Sequence, residues 1–329
     1  MTVLVTGGAG YIGSHMVLAL TDAGEEVVVL DNLSTGYWWA ISPKAKLIEG
    51  DIGDEALLTR VMSDNSFDAI IHFAGSIVVP DSVSDPLGYY LNNTVKSRML
   101  MHCAIKAKVP RLIFSSTAAV YGNPKTQPVF EAEAPAPISP YGTSKLMTEM
   151  MLRDSHMAYG LQYVALRYFN VAGADPQGRS GQSTPRATHL IKVACQTALG
   201  QREHMDVFGT DYDTPDGTCL RDYIHVSDLI SAHVDALAHL RTGGDSGIFN
   251  CGYGKGYSVL EVINAVKKAH GSDFKVNMGP RRAGDPAAIV AGADRVREIL
   301  GWQPKYNDLD LIVNSALAWE QRLATRNAA

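Results

Sequence analysis

An α/β fold is what this sequence predicts: a doubly wound parallel sheet over residues 1–172, then a smaller mixed α/β domain over 173–221 and 251–329, with about 222–250 returning to the sheet. Three observations predict it. Short apolar runs alternate with helix-length segments through about residue 170, a glycine-rich turn follows the first run, and from about Gly173 the pattern loosens into Gly, Pro and polar residues. The chain has 329 residues, more than one ordinary core, and its 46% hydrophobic and 19% charged usage is normal for a globular protein.

The first run, Val3-Leu4-Val5, reads as a buried strand and leads into Thr6-Gly7-Gly8-Ala9-Gly10-Tyr11-Ile12-Gly13, then into an apolar helix through about Leu20. Gly7, Gly10 and Gly13, spaced G-x-x-G-x-x-G, allow a tight turn, close approach to a pyrophosphate and helix-on-strand packing, with the helix N-terminus facing the phosphates. That arrangement marks a Rossmann nucleotide-binding unit. A second strand, Val27 to Leu30, ends at Asp31, where a carboxylate accepts hydrogen bonds from ribose hydroxyls and repels a 2′-phosphate, which favours NAD over NADP. Ala69 to Phe73, Arg111 to Phe114 and Tyr163 to Arg167 are further strands, and the residues just after them are ligand positions: Ala74-Gly75-Ser76, Ser115 to Gly122, and Tyr168-Phe169-Asn170. Tyr89 to Lys106 and Tyr141 to Tyr159 read as helices.

Tyr141 and Lys145 stand at i and i+4, so they share a helix face and the ammonium favours the phenolate. An unperturbed Tyr has a pKa of about 10, and reaching about 7 takes roughly 4 kcal/mol. One cation supplies part of that, and the positive ring of an oxidised nicotinamide supplies more. His72, inside an apolar strand, reads as a core histidine.

Composition removes several function classes. Net charge is −5, which leaves no basic face for nucleic acid or an anionic membrane, so a phosphate ligand is held by a few placed groups. A strand begins almost at the first residue, no signal-peptide pattern precedes it, and no apolar run spans a bilayer; the expectation is a soluble cytoplasmic protein. Cys103, Cys195, Cys219 and Cys251 lack metal-ligand spacing and read as reduced thiols, so neither a disulfide framework nor a metal site is expected.

Taken together, the chain resembles the UDP-galactose (UDP-glucose) 4-epimerases of the extended short-chain dehydrogenase/reductase superfamily over nearly its whole length. Segments carrying the resemblance include Thr6 to Gly13, Asp31-Asn32-Leu33, Gly50-Asp51-Ile52, His72 to Gly75, Tyr89 to Asn93, Phe114 to Gly122, Pro140 to Lys145 and Arg167 to Asn170. Arg221 to Val226 and Pro280-Arg281-Arg282-x-Gly284-Asp285 are the parts more specific to nucleotide-sugar enzymes. By position, the resemblance implies an NAD site formed by the glycine turn with Tyr11 and Ile12, and by Asp31, Asn32, Leu33, Ser34, Thr35 and Gly36. Asp51, Ile52, Phe73, Ala74, Gly75, Asn92 and Phe169 join it, as do Thr117, Tyr141 and Lys145. It implies that Asn170, His189, Leu190, Val207 and Phe208 hold the UDP-sugar with Arg221, Arg282, Asp285 and Ile289. Guanidinium forks suit diphosphate oxygens and need no high net charge.

The implied activity is interconversion of UDP-glucose and UDP-galactose by transient oxidation at C4. Tyr141, helped by Lys145 and Thr117, takes the 4-hydroxyl proton; a 4-keto sugar forms, turns over and is reduced on its other face. Related dehydratases place an acid directly after the Thr to expel water, whereas Thr117 is followed by Ala118 and Ala119. Ile77 stands where some members carry a Lys, Thr35-Gly36 replaces a more polar pair, and Lys192 replaces a usual Pro, a change expected to affect the turn and not the chemistry. Ile289, stiff and intermediate in volume, is expected to restrict N-acetylated sugars. The resemblance also implies a homodimer built on the two long helices. Epimerisation of another UDP-sugar, net dehydrogenation or reduction, and a non-catalytic NAD sensor are the alternatives.

Overall fold

The structure, a computed structural model, describes residues 1–184, 187–282 and 285–328. It opens with strand β1 (Thr2–Thr6), helix α1 (Tyr11–Asp22), β2 (Glu26–Asp31), β3 (Lys46–Glu49), α2 (Glu55–Ser63) and β4 (Phe67–His72). Short helices α3 (Val79–Ser84) and α4 (Pro86–Tyr89) pass through a single π-turn, Tyr90–Val95, into α5 (Lys96–Lys106). Next come β5 (Arg111–Thr117), α6 (Pro140–Tyr159), β6 (Gln162–Tyr168) and β7 (Asn170–Ala172). Then follow α7 (Leu190–Ala198), β8 (Met205–Phe208), β9 (Leu220–His225), α8 (Val226–Arg241) and β10 (Gly247–Cys251). The chain ends in β11 (Gly256–Ser258), α9 (Val259–His270), β12 (Val276–Gly279), β13 (Ala288–Ile289), α10 (Asp294–Leu300) and α11 (Leu309–Ala328).

Seven parallel strands form the main sheet, in the order β10-β6-β5-β4-β1-β2-β3. The order reverses between β1 and β4, which opens a crevice at the C-terminal ends of those strands. Alternate residues serve opposite layers, as a pleated strand buried on both faces requires. Val3, Val5, Val29 and Ile71 pack with Met16 and Val17 of α1 and Leu229 of α8. Leu4, Val28, Leu30 and Ile70 pack with Leu58 of α2, Leu100 of α5 and Leu152 of α6. Each such side chain contributes about 1.5–3 kcal/mol, so one polar residue in β1 would weaken a whole layer.

After β9 the chain returns to this sheet, with α8 against α1 and β10 beside β6. Elsewhere β9 pairs β7, β11 and β13, β8 pairs β12, and α7, α9 and α11 pack on one another.

Two elements differ from the sequence reading. The edge strand β3 pairs with β2, but its Lys-Leu-Ile-Glu has only two apolar residues, too little periodicity to stand out. The helix read over Tyr89 to Lys106 is interrupted by the π-turn, where the Asn93 side chain turns inward and bonds other segments.

Candidate active site

The glycine turn fixes one wall of the crevice. Gly7 has φ +72° and a Cβ there would lie 2.5 Å from the Ala74 nitrogen, while one on Gly13 would lie 2.1 Å from the Gly7 carbonyl. Only glycine fits at either place. Gly10 caps α1 without a side-chain partner, so the first-turn N–H groups of Tyr11 and Ile12 are available to an anion. Asp31 is buried at the end of β2, where its two oxygens accept the Ala9 N–H (2.9 Å) and the Leu33 N–H (2.8 Å) and keep lone pairs for ribose hydroxyls. Asn32 Oδ1 accepts the Ser34 N–H, and Gly36 packs so closely on Ala9 that a Cβ would come within 2.6 Å of its carbonyl carbon.

Asp51 is already engaged: it accepts from Lys96 (2.7 Å), Asn32 (3.0 Å) and the Gly53 N–H (2.7 Å), and these partners hold its carboxyl below the usual range against the cost of burial. Its neighbour Ile52 is buried. Phe73 and Ala74 both donate their N–H groups to the Thr6 carbonyl, which brings the end of β4 beside the glycine turn. A crevice lies between Gly10, Tyr11, Ser14, Thr35 and Tyr37 and residues 181, 183 and 184. Free N–H donors at the start of α1 and a free carboxylate edge on Asp31 suit the pyrophosphate and the ribose of a dinucleotide.

At the centre of the sheet, Thr117 ends β5 and accepts the Ala119 N–H at 3.1 Å. Ser139 caps α6 by accepting the Gly142 N–H at 3.2 Å, and a Cβ on Gly142 would lie 2.5 Å from the Ala119 carbonyl. The helix therefore starts pressed against the loop after β5, and this packing places Tyr141 beside Thr117. Burial pushes the Tyr141 phenol above its usual pKa, and its hydrogen bond with Thr117 draws it back down. Lys145 lies one turn on, 3% exposed, and donates to the Ser115 carbonyl at 2.9 Å. Burial lowers its pKa to about 8, partly offset by Glu149. Lys145 thus bonds the sheet rather than the phenol, with other N–H donors left for a ligand.

Several residues here were not found from sequence. Glu149 and Arg167 form a buried bidentate pair (2.6 and 2.9 Å) to which Ser116 (2.5 Å) and Tyr121 (3.0 Å) are bonded, fastening α6 to β5 and β6. Asn93 accepts the Ser76 N–H at 2.7 Å and donates to the Ser76 carbonyl at 2.9 Å, while Asn92 donates to the Ser76 hydroxyl at 2.8 Å. Gly75 sits among them, where a Cβ would be 3.0 Å from Asn93 Oδ1 and 3.7 Å from Lys145 Nζ. Two adjacent asparagines inside a helical window were the available signal. His72 is held by Thr6 (2.7 Å) and Ser97 (2.8 Å), and burial lowers its pKa to about 3, so it is a neutral core group as expected.

A second cavity is lined by Tyr11, Asn170, His189, Leu190, Lys192 and Trp319, among others. Phe169, between β6 and β7, is buried beside it in sequence. His189 precedes α7, with Gln182 at 3.4 Å, and burial and then Lys192 lower its pKa. Lys192 does more than replace a turn residue: it is buried, bonded to Glu320 at 2.6 Å and to the Gln182 carbonyl at 2.8 Å.

Farther out, Arg282 pairs with Asp285 at 2.9 Å and lies over the exposed Phe208 ring at 5.4 Å. Arg221 lies 3.7 Å from Asp285 and donates to the Leu220 and Pro286 carbonyls, both at 2.9 Å. Ile289 pairs across from Arg221 and is 8% exposed. Val207 faces the core, leaving only its backbone for a ligand. Ala283 and Gly284 of the arginine run lie outside the described residues. Gln127 and Val129, in the loop after β5, bond to Ala288 and Val290, so the loop that follows Thr117 touches this outer region. Ile77 is half-exposed. Among the described residues no cluster of three or more His, Cys, Asp or Glu could hold a metal, and no helix is long and apolar enough to cross a membrane.

The model of the NAD dependent epimerase/dehydratase family matches residues 3–252. A UDP-glucose 4-epimerase of Azospirillum brasilense is 60% identical over 98% of this chain and 92% of its own length. Among solved structures, UDP-glucose 4-epimerase from Brucella ovis in complex with NAD superposes with a TM-score of 0.94 at 45% identity, covering 96% of this chain and 97% of that one. The UDP-Glc/GlcNAc 4-epimerase from Campylobacter jejuni superposes with a TM-score of 0.86 at 49% identity, covering 98% and 99%.

Proposed function

This chain belongs to the NAD dependent epimerase/dehydratase family, and from that premise we propose that it interconverts UDP-glucose and UDP-galactose by inverting the C4 hydroxyl. NAD, when bound, accepts the C4 hydride and gives it back. Asp31, the glycine turn and Lys145 hold that cofactor; Arg221, Arg282 and Asn170 hold the UDP half of the substrate. Tyr141 takes the 4-hydroxyl proton and later returns it, with Thr117 bonded to the phenol at each stage. Burial raises the phenol in the protein alone, so the positive charge that activates it has to come from Lys145 and from the ligand itself. The observation that carries the reading is the first turn of α6 pressed against the loop after β5, which sets Tyr141 beside Thr117, with only Ala118 and Ala119 after that Thr and no acid to expel water.

The NAD unit is residues 1–172 with about 222–250, and the nucleotide-sugar unit is the remainder. Val79, Val83, Leu87 and Leu91 near α3 and α4, with Met147 and Met150 on α6, are exposed apolar side chains on neighbouring elements and support a homodimer. Four buried free cysteines support a cytoplasmic location.

Specificity for the unmodified hexoses rests on Ile289, buried opposite Arg221. The test is a comparison of UDP-galactose and UDP-GalNAc with no cofactor added. UDP-galactose should be favoured by about five- to 150-fold, and Ile289→Ser should narrow the gap. Equal kcat/KM in the wild type would show that Ile289 is not the gate and would favour the broader specificity named for the Campylobacter relative.

A further inference from the structure

Beyond Gly36 the chain makes one 3-10 turn, Trp38–Ala40, introduced by Tyr37. The Tyr37 N–H donates to the Ala9 carbonyl at 3.0 Å, so the turn is drawn down onto the glycine turn. Thr35, Tyr37 and Ala40 form one wall of the dinucleotide cavity, and Gly181, Ser183 and Thr184 form the facing wall. Both walls reach the same helix. Trp39 is stacked on Tyr37 at 4.9 Å, has the Trp319 ring at 6.3 Å, and carries the Arg326 guanidinium at 3.8 Å from its centroid. Trp319 donates from Nε1 to the Ser183 hydroxyl at 3.2 Å, and its ring lies so close under Gly181 that a Cβ there would be 2.3 Å away. Next to it, Glu320 forms the buried 2.6 Å pair with Lys192 that anchors α11 to α7. Trp38, one residue from Trp39, is 69% exposed.

We propose that α11 is a clasp on the cofactor: Trp319, Trp39 and Arg326 are positioning residues that hold both walls closed over the dinucleotide and thereby set how slowly NAD leaves. The proposal rests on the NAD-dependent reading given above. None of the three side chains has to touch the cofactor. Departure through this side requires the Tyr37–Ala40 turn to lift, and lifting it carries Tyr37 and Trp39 away together and breaks the contacts of Trp39 with Arg326 and Trp319 on α11. Slow departure matters to this reaction because a hydride removed from C4 must be returned from the same bound molecule, and a cofactor lost midway leaves a stranded ketone.

The experiment uses purified holoenzyme, an excess of isotopically labelled NAD, and desalting at timed intervals to follow exchange of the bound nucleotide. Trp39→Ala should exchange about tenfold faster than wild type and Arg326→Ala several-fold faster, whereas Trp38→Ala should match wild type. The double variant Trp39→Ala/Arg326→Ala should exchange no faster than Trp39→Ala, because both act through one stack. All these positions are half-buried or exposed, and Trp39→Phe, which keeps a ring on the stack, should restore most of the retention. Wild-type exchange rates in Trp39→Ala, an equal effect from Trp38→Ala, or additive effects in the double variant would overturn the clasp. A holoenzyme found to carry no NAD at the outset would instead overturn the NAD-dependent reading.

Discussion

The two ends of the candidate site are built in opposite ways. At the sheet end, Thr117, Tyr141 and Lys145 are each less than a tenth exposed and are placed by backbone contacts: Gly142 against Ala119, Ser139 on the Gly142 N–H, and the Lys145 ammonium on Ser115. At the outer end, Arg282 is 52% exposed and is paired, among the described residues, with Asp285 alone, while Arg221 is tied to the Leu220 and Pro286 carbonyls and lies 3.7 Å from the same carboxylate. A proton-transfer group must be held to a fraction of an ångström, whereas a diphosphate can be captured by charges that exchange a protein carboxylate for a ligand oxygen. The fold therefore packs the sheet end tightly and leaves a more exposed ion pair, Arg282 with Asp285, at the outer end.

This contrast predicts which kinetic constant each end controls. Tyr141→Phe keeps the ring and removes the proton acceptor, so kcat should fall by roughly 10² to 10⁴ with KM for UDP-galactose nearly unchanged. A variant within threefold of wild type would break the assignment of the sheet end as the place of chemistry.

Acid should act through the sheet end as well. The pKa of His72 is lowered to about 3 in the fold, against about 6.5 in the unfolded chain. Between those values the unfolded state binds a proton that the fold refuses, so its contribution is complete above about pH 6.5 and is lost as pH falls toward about 3. The loss from this residue approaches about 4 kcal/mol. Thermal melts should show Tm dropping steeply below pH 6.5, and His72→Gln should flatten the drop relative to its own value at pH 7. An identical slope in the variant would locate acid sensitivity elsewhere.

At the outer end the expected effect is smaller. Arg282→Ala removes one charged partner of the diphosphate, with a loss of about 1.5–3 kcal/mol, or about 10- to 150-fold in KM, at unchanged kcat. Arg282 is the sharper probe than Arg221, which also holds the Leu220 and Pro286 carbonyls. A fall in kcat without a change in KM would erase the distinction between the two ends.

What the sequence disclosed follows the same division. Gly7, Gly13, Asp31, Tyr141 and Lys145 were legible because short-range geometry dictates them: a turn that excludes Cβ atoms, a strand end, and an i,i+4 face. Glu149 and Arg167 were not, because nothing local says that two charges eighteen residues apart will be buried together. Asn93 was passed over for Asn92, since only the π-turn decides which asparagine points inward. Trp39, Trp319 and Arg326 meet from opposite ends of the chain, a contact that no periodicity announces.

The central claim is that Tyr141 manages the proton while one hydride leaves C4 and returns to it. UDP-galactose carrying deuterium at C4, converted by the purified protein without added cofactor in ordinary water, tests it directly. UDP-glucose should appear with the deuterium still at C4 and no net NADH. Product carrying hydrogen from water at C4 would contradict the account.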